Sequence, residues 1–109
     1  MPVAATDQAC VRVCVIYSSW CIQCRYLKPM AARLAAEHQG QVKADIVPAD
    51  SAEGKALRER YGVRGQPCAL MLDANGRLLA GPRCGPLSYP VLEEMLAEAA
   101  RSGECALAG

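Results

Sequence analysis

Residues 11–40 read VRVCVIYSSWCIQCRYLKPMAARLAAEHQG, and two different periodicities meet within them. Val11 to Tyr17 is rich in β-branched residues and almost continuously apolar, which predicts a strand buried on both faces, as in a parallel sheet. Ser18 and Ser19 interrupt the run. Beyond them Leu27, Met30 and Leu34 recur at spacings of three and four, with Ala31 and Ala35 beside them and Arg25, Lys28 and Arg33 at other positions. This pattern predicts an amphipathic helix from about Cys21 to His38, stopped by Gly40 and kinked at Pro29.

Further along, Gln41 to Val47 reads as a second strand ended by Pro48. Asp50, with Glu53 three residues on, is placed to cap a short helix that carries Ala56, Leu57 and Tyr61 and stops at Gly62. Cys68 to Leu72, CALML, is a third strand; Asp73-Ala74-Asn75-Gly76 is a hairpin turn, and Arg77 to Ala80 begins a fourth strand. Ser88 caps a last helix with the apolar stripe Leu92, Met95, Leu96 and Ala99. The order is β-α-β-α-β-β-α. The first β-α-β should be a right-handed parallel unit, and the hairpin makes the last two strands antiparallel. The expected architecture is α/β: a mixed four-stranded sheet flanked by helices, in one domain over residues 1–109, with a loose lead-in over 1–10 and a frayed tail over 103–109.

Composition narrows the function. The chain has 109 residues, 52% of them hydrophobic, enough for a core without staples. Aromatic residues are 5% and Phe is absent, so the core must be built from Val, Ile, Leu, Met and Ala. The net charge is +1 with no basic run, which argues against nucleic acid and anionic membranes. No apolar run approaches the ~20 residues that span a bilayer. The N-terminus has no basic region followed by an apolar core, so a cytoplasmic location is expected, or a periplasmic one if a leader has been removed. Cysteines stand at 10, 14, 21, 24, 68, 84 and 105. Their odd number and the adequate core lead to the expectation that most are free thiols, several of them small buried hydrophobes. Cys10 and Cys14, four apart along a strand, should face the same side. His38, alone near a helix end, is assigned no catalysis.

Trp20-Cys21-Ile22-Gln23-Cys24 lies at the junction of strand and helix. Residues three apart on a helix share a side, so the two sulfurs should be neighbours. At the helix N-terminus Cys21 meets free backbone N–H groups and the positive end of the dipole, both of which favour negative charge. A thiolate there attacks a disulfide. Cys24, one turn deeper and more protected, then attacks the mixed disulfide, releases the reduced substrate and leaves a Cys21–Cys24 bond. Two other readings use the same residues: cysteines packed on a helix, and a zinc site completed by Cys68 and Cys84. Structural zinc sites usually present two close pairs, whereas here the second pair is split by a strand and a hairpin. No metal ligand is assigned.

Four features fall in order: the W-C-x-x-C of residues 20–24; Pro29, eight residues after Cys21; Tyr61-Gly62-Val63-Arg64-Gly65-Gln66-Pro67; and Gly85-Pro86-Leu87-Ser88 followed by Leu92. Together they resemble the thioredoxin family, over about Val11 to Ala100. The resemblance implies a thioredoxin-like fold, Cys21 as nucleophile and Cys24 as resolving thiol. It implies a cis Pro67 packed against the dithiol, Trp20 shielding it, and a substrate-binding rim of Trp20, Gln66, Pro67 and Gly85. It implies protein disulfides as substrates, an upstream thiol reductant as partner, no cofactor beyond the Cys21–Cys24 disulfide, and a monomer. Three departures qualify it. Val15 stands where the family carries a buried Asp that takes the resolving thiol's proton, so slower resolution near neutral pH is expected. Ile22-Gln23 replaces Gly-Pro and contains no His, which suggests a mildly reducing poise. Only twenty residues precede Cys21, which suggests the minimal version of the fold.

Cys68 and Cys84 fall at the active-site end of that fold, which makes them candidates for extra redox or regulatory thiols; the plainer reading is small side chains within the sheet. Cys105, in the tail, is expected to be exposed. The overall expectation is a thiol–disulfide oxidoreductase reducing protein disulfides. The alternative is a module that keeps the fold to dock partners or hold a metal, without redox turnover.

Overall fold

Val11–Tyr17 forms strand β1, and Val13, Cys14, Val15 and Ile16 are all buried although they alternate between its two faces. The structure, a computed structural model, describes residues 10–18, 21–38, 40–63 and 67–102. The lead-in before Cys10 and the tail after Ser102 lie outside these residues. After β1 come α1 (Ile22–Glu37), β2 (Val42–Pro48), α2 (Ala52–Tyr61), β3 (Cys68–Leu72), β4 (Leu78–Cys84) and α3 (Tyr89–Ser102). The strands form one sheet in the order β2-β1-β3-β4. β1 runs parallel to β2, from Val11 opposite Val42 to Tyr17 opposite Pro48, and antiparallel to β3, with Ile16 opposite Cys68. The mixed four-stranded sheet expected from the sequence is therefore present.

Each face has its own core. On one, Val11, Val13 and Val15 meet Leu27, Ala31 and Leu34 of α1 and Leu92, Met95, Leu96 and Ala99 of α3. On the other, Cys14, Ile16, Leu70 and Leu72 pack with Leu57 and Tyr61 of α2. Each large aliphatic side chain so buried contributes about 1.5–3 kcal/mol. The two helices of the first face are joined at the surface, where the Tyr89 hydroxyl donates to Glu37 and the Arg33 guanidinium lies 4.0 Å from the Tyr89 ring centre. Across β1, β2 and α2, Arg12 pairs with Asp45 at 2.7 Å and approaches Glu53 at 3.5 Å.

Local chemistry sets the boundaries, with differences from the sequence reading. α1 runs through Pro29 and is flanked by Cys21 and His38. The cap of α2 is Ser51, not Asp50: its hydroxyl accepts from the Gly54 N–H at 3.0 Å and donates to the Pro48 carbonyl at 2.7 Å. The helix begins one residue later than expected, so the shorter Ser side chain is the one in capping range. Gly62 ends α2 as expected, with φ +65°. The Asp73 carboxylate accepts from the Asn75 and Arg77 N–H groups, both at 2.8 Å, and closes the β3–β4 turn.

The cysteines differ most from expectation. Cys68 and Cys84 are not free thiols; they form a disulfide between β3 and β4, with Cα atoms 4.1 Å apart. The cause is register. Leu72 lies opposite Leu78, so a regular ladder would bring Pro82 opposite Cys68; two irregularities advance the pairing to Cys84. Pro82 has no N–H to give a ladder, and it follows Gly81, whose φ is +91° and which a Cβ would drive to 2.9 Å from the Ala69 carbonyl oxygen. Cys10 is also disulfide-bonded. It precedes β1 and packs against the α1–α3 face, whereas Cys14 belongs to the α2 face, so the two do not share a side. The free thiols among the described residues are Cys14, Cys21 and Cys24.

Gly54 lets α2 pack against the backbone at the end of β2. A Cβ there would lie 2.1 Å from the Pro48 carbonyl oxygen, a backbone atom that cannot swing away. Gly54→Ala should therefore destabilise the protein by about 1–3 kcal/mol despite alanine's better helix propensity. The midpoint of urea unfolding checks this; an unchanged or higher midpoint would contradict the packing described.

Candidate active site

β1 delivers the chain to the site. After Tyr17, the Ser18 carbonyl accepts from the Cys21 N–H at 3.1 Å, and α1 begins at the next residue. Cys21 is the N-cap, in extended conformation with φ −89° and ψ 112°, and its side chain makes no capping hydrogen bond. Its sulfur is thus left available beside the unpaired N–H groups of the first turn. That turn holds no acidic residue to oppose a negative charge. Ser19 and Trp20 lie outside the described residues, and with them the expected shielding role of Trp20.

Cys24 sits one turn into α1. It is 1% exposed and Cys21 is 9% exposed, so Cys21 is the more accessible of the two buried residues. Both are thiols. Burial pushes the Cys24 thiol up, and its hydrogen bond with Cys21 adds to the shift; a backbone hydrogen bond with Ser18 and the charge of Lys28 act in the opposite direction. Val15 is fully buried on the α1 side of β1, and among the described residues the core contains no charged or polar side chain. The charge of Cys21 raises the Cys24 thiol further, and the opposing positive charge is that of Lys28, whose Nζ lies 3.8 Å from the Tyr17 ring centre. In the sequence pattern Lys28 stands outside the apolar stripe, and its spacing of four from Cys24, one helical turn, is the signal that pairs them.

The opposite rim comes from β3 and β4. Because Ile16 faces Cys68, the preceding Pro67 stands beside the end of β1 that leads to Cys21. Pro67 is buried, and its carbonyl accepts from the Gly85 N–H at 2.9 Å. The fold thus brings Cys21, Cys24, Pro67 and Gly85 to one end of the sheet. Gln66 and the Gln66–Pro67 bond lie outside the described residues; among those described, the cis peptide bond is Gly81–Pro82. Cys68 and Cys84 also lie at this end, as a disulfide. The four-sulfur set considered for zinc is divided into two thiols and one disulfide. Ile22 and Tyr26 are each 68% exposed on the first turns of α1. Read as interruptions of a helical pattern they carry no signal, but beside Cys21 they form an apolar surface.

A cysteine pair at the mouth of a helix, carried by a mixed sheet between helical layers, defines a class of α/β domains equipped for thiol–disulfide chemistry. The family model named Thioredoxin matches residues 4–97, and the chain belongs to the thioredoxin family. Among solved structures it is similar to the germline-specific thioredoxin Deadhead of Drosophila melanogaster, with a TM-score of 0.68, 28% identity, and coverage of 87% of this chain and 84% of that one. It is similar to a single-residue mutant of thioredoxin from Halobacterium salinarum NRC-1, with a TM-score of 0.67, 25% identity, and coverage of 92% of this chain and 80% of that one. A malarial protein shares the fold at 18% identity and a TM-score of 0.66, with 83% of this chain and 97% of that one covered.

Below its raised ionisation point, the fraction of Cys24 in thiolate form grows tenfold per pH unit. A mixed disulfide between Cys21 and thionitrobenzoate should therefore be resolved about ten times faster per unit between roughly pH 7 and 9. Lys28→Gln should slow that step about two- to threefold at about pH 8 through loss of a nearby cation. Stopped-flow absorbance of the released thiol measures both. A rate independent of pH would contradict resolution by a buried, protonated Cys24.

Proposed function

We propose that this protein is a protein-disulfide reductase, with Cys21 as the attacking sulfur and Cys24 as the resolving one. The observation that carries the reading is the exposure gradient between two adjacent thiols at one helix mouth, 9% for Cys21 and 1% for Cys24. The Cys21 thiolate attacks one sulfur of the substrate disulfide. The electron pair of the broken bond leaves on the other substrate sulfur, which takes up a proton. Cys24 gives up its proton and attacks Cys21, freeing the second substrate thiol and closing Cys21–Cys24. An upstream dithiol then reverses the oxidation and restores the pair.

Protein substrates suit the surroundings. Ile22 and Tyr26 offer apolar contact beside the outer sulfur, and the Pro67 and Gly85 loops supply the facing rim. Trp20 and Gln66 complete that rim by the family resemblance. With Val15 in place of a carboxylate, water or an external base must take the Cys24 proton. Among the described residues no helix is long and apolar enough to cross a bilayer.

Reduction of insulin disulfides by the dithiothreitol-charged protein tests the reading. Cys21→Ser should lower the rate by at least about a hundredfold, as expected when the nucleophile of a covalent mechanism is lost. Cys24→Ser should leave Cys21 trapped in a mixed disulfide visible by mass spectrometry. Equal turnover by wild type and Cys21→Ser would end the enzymatic reading in favour of a docking module.

A further inference from the structure

The Cys68–Cys84 disulfide is as asymmetric as the dithiol beside it. Cys68 lies on β3, inside the sheet, and is 0% exposed. Cys84 is the last residue of β4, the outer strand of the sheet, and is exposed. Exchange at a disulfide requires a thiolate to reach one sulfur in line with the bond, so access decides which sulfur is attacked. Here access favours Cys84, while Cys68 is held behind it as the retained partner. Arg83, the preceding residue, is also exposed, so this end of β4 is open to solvent.

The surroundings also permit local opening. Past the disulfide, the Gly85 N–H still bonds the Pro67 carbonyl at 2.9 Å; before it, Ala69 still faces Arg83 across the ladder. These contacts keep the two strands together when the covalent link is broken. The flanking residues Pro67 and Gly85 are those that face the Cys21 end of the sheet, so the link lies directly behind the rim of the proposed active site.

We propose that Cys68–Cys84 is a second exchangeable disulfide of this protein, opened and closed through Cys84 by an external dithiol. One sulfur of the dithiol, as thiolate, attacks Cys84. The Cys68–Cys84 bond breaks, and its electron pair goes to the Cys68 sulfur, which takes up a proton. The second sulfur of the dithiol, after losing its proton, attacks the first, releasing Cys84 as a thiolate that is then protonated. The dithiol leaves oxidised, and Cys68 and Cys84 have gained two electrons and two protons. An external disulfide drives the same steps in reverse.

The test uses the Cys21→Ser, Cys24→Ser double variant, so that the outcome is independent of the active dithiol. The folded protein is incubated with dithiothreitol, alkylated with N-ethylmaleimide and mapped by peptide mass. Cys84 should become labelled while far-UV circular dichroism remains native, and a differently massed maleimide added afterwards in urea should label Cys68. A Cys84 that resists labelling until urea unfolds the chain overturns the proposal. In the same background, Cys84 left alone by Cys68→Ser should react with glutathione disulfide at least about tenfold faster than Cys68 left alone by Cys84→Ser. Equal rates, or the reverse order, also overturn it.

Discussion

The pairing of β1 on both of its edges is the constraint from which the rest of the molecule follows. Parallel pairing to β2 and antiparallel pairing to β3 remove its backbone from water, and alternating side chains then fill two separate cores. Neither partner can shift by one residue without exchanging Val13 and Val15 for Cys14 and Ile16 between the faces. With the register held, the end of β1 has a fixed position, the chain turns at Ser18, and Cys21 arrives at the start of α1. The same register places Pro67 and Cys68 across from that end. One set of ladder bonds thus sets both sides of the proposed active-site rim.

Burial then assigns different roles to chemically identical groups. Cys14, deep in the α2 face, has its thiol pushed up to about 11 by desolvation, with Arg12 only partly opposing this, and such a sulfur is a packing group rather than a nucleophile. Cys24 is also raised by burial, but it keeps contact with Cys21 and feels Lys28, which suits the second, resolving step proposed for it. Cys21, at the mouth of the helix, is the less buried sulfur of the pair and the one proposed to meet substrate. The Cys68–Cys84 link repeats the inner and outer arrangement on neighbouring strands, without a helix terminus behind it.

Much of this was legible in the chain because the signals are local. The apolar run of Val11–Tyr17, the spacing of Leu27, Ala31 and Leu34, the turn residues Asp73–Gly76 and the stripe Leu92–Ala99 each report on a few neighbouring residues, and each forms the expected element. Cys21 and Cys24 needed only their own spacing and their place at a strand-to-helix junction. The misplaced cap, Asp50 for Ser51, is a one-residue boundary shift between two residues able to do the same work.

The sequence by itself determined the order of elements, the mixed sheet and the neighbouring thiols at a helix mouth, because propensity, periodicity and capping act within a turn or two of chain. Only the tertiary structure decided that Cys68 meets Cys84 and that Cys10 and Cys14 part to opposite faces. The disulfide depends on irregularities that move β4 two places along β3, and their cost is settled by packing around Gly81 and Pro82 rather than by the turn that starts the hairpin. A ladder register accumulates over many residues and is not written in any short window of the chain.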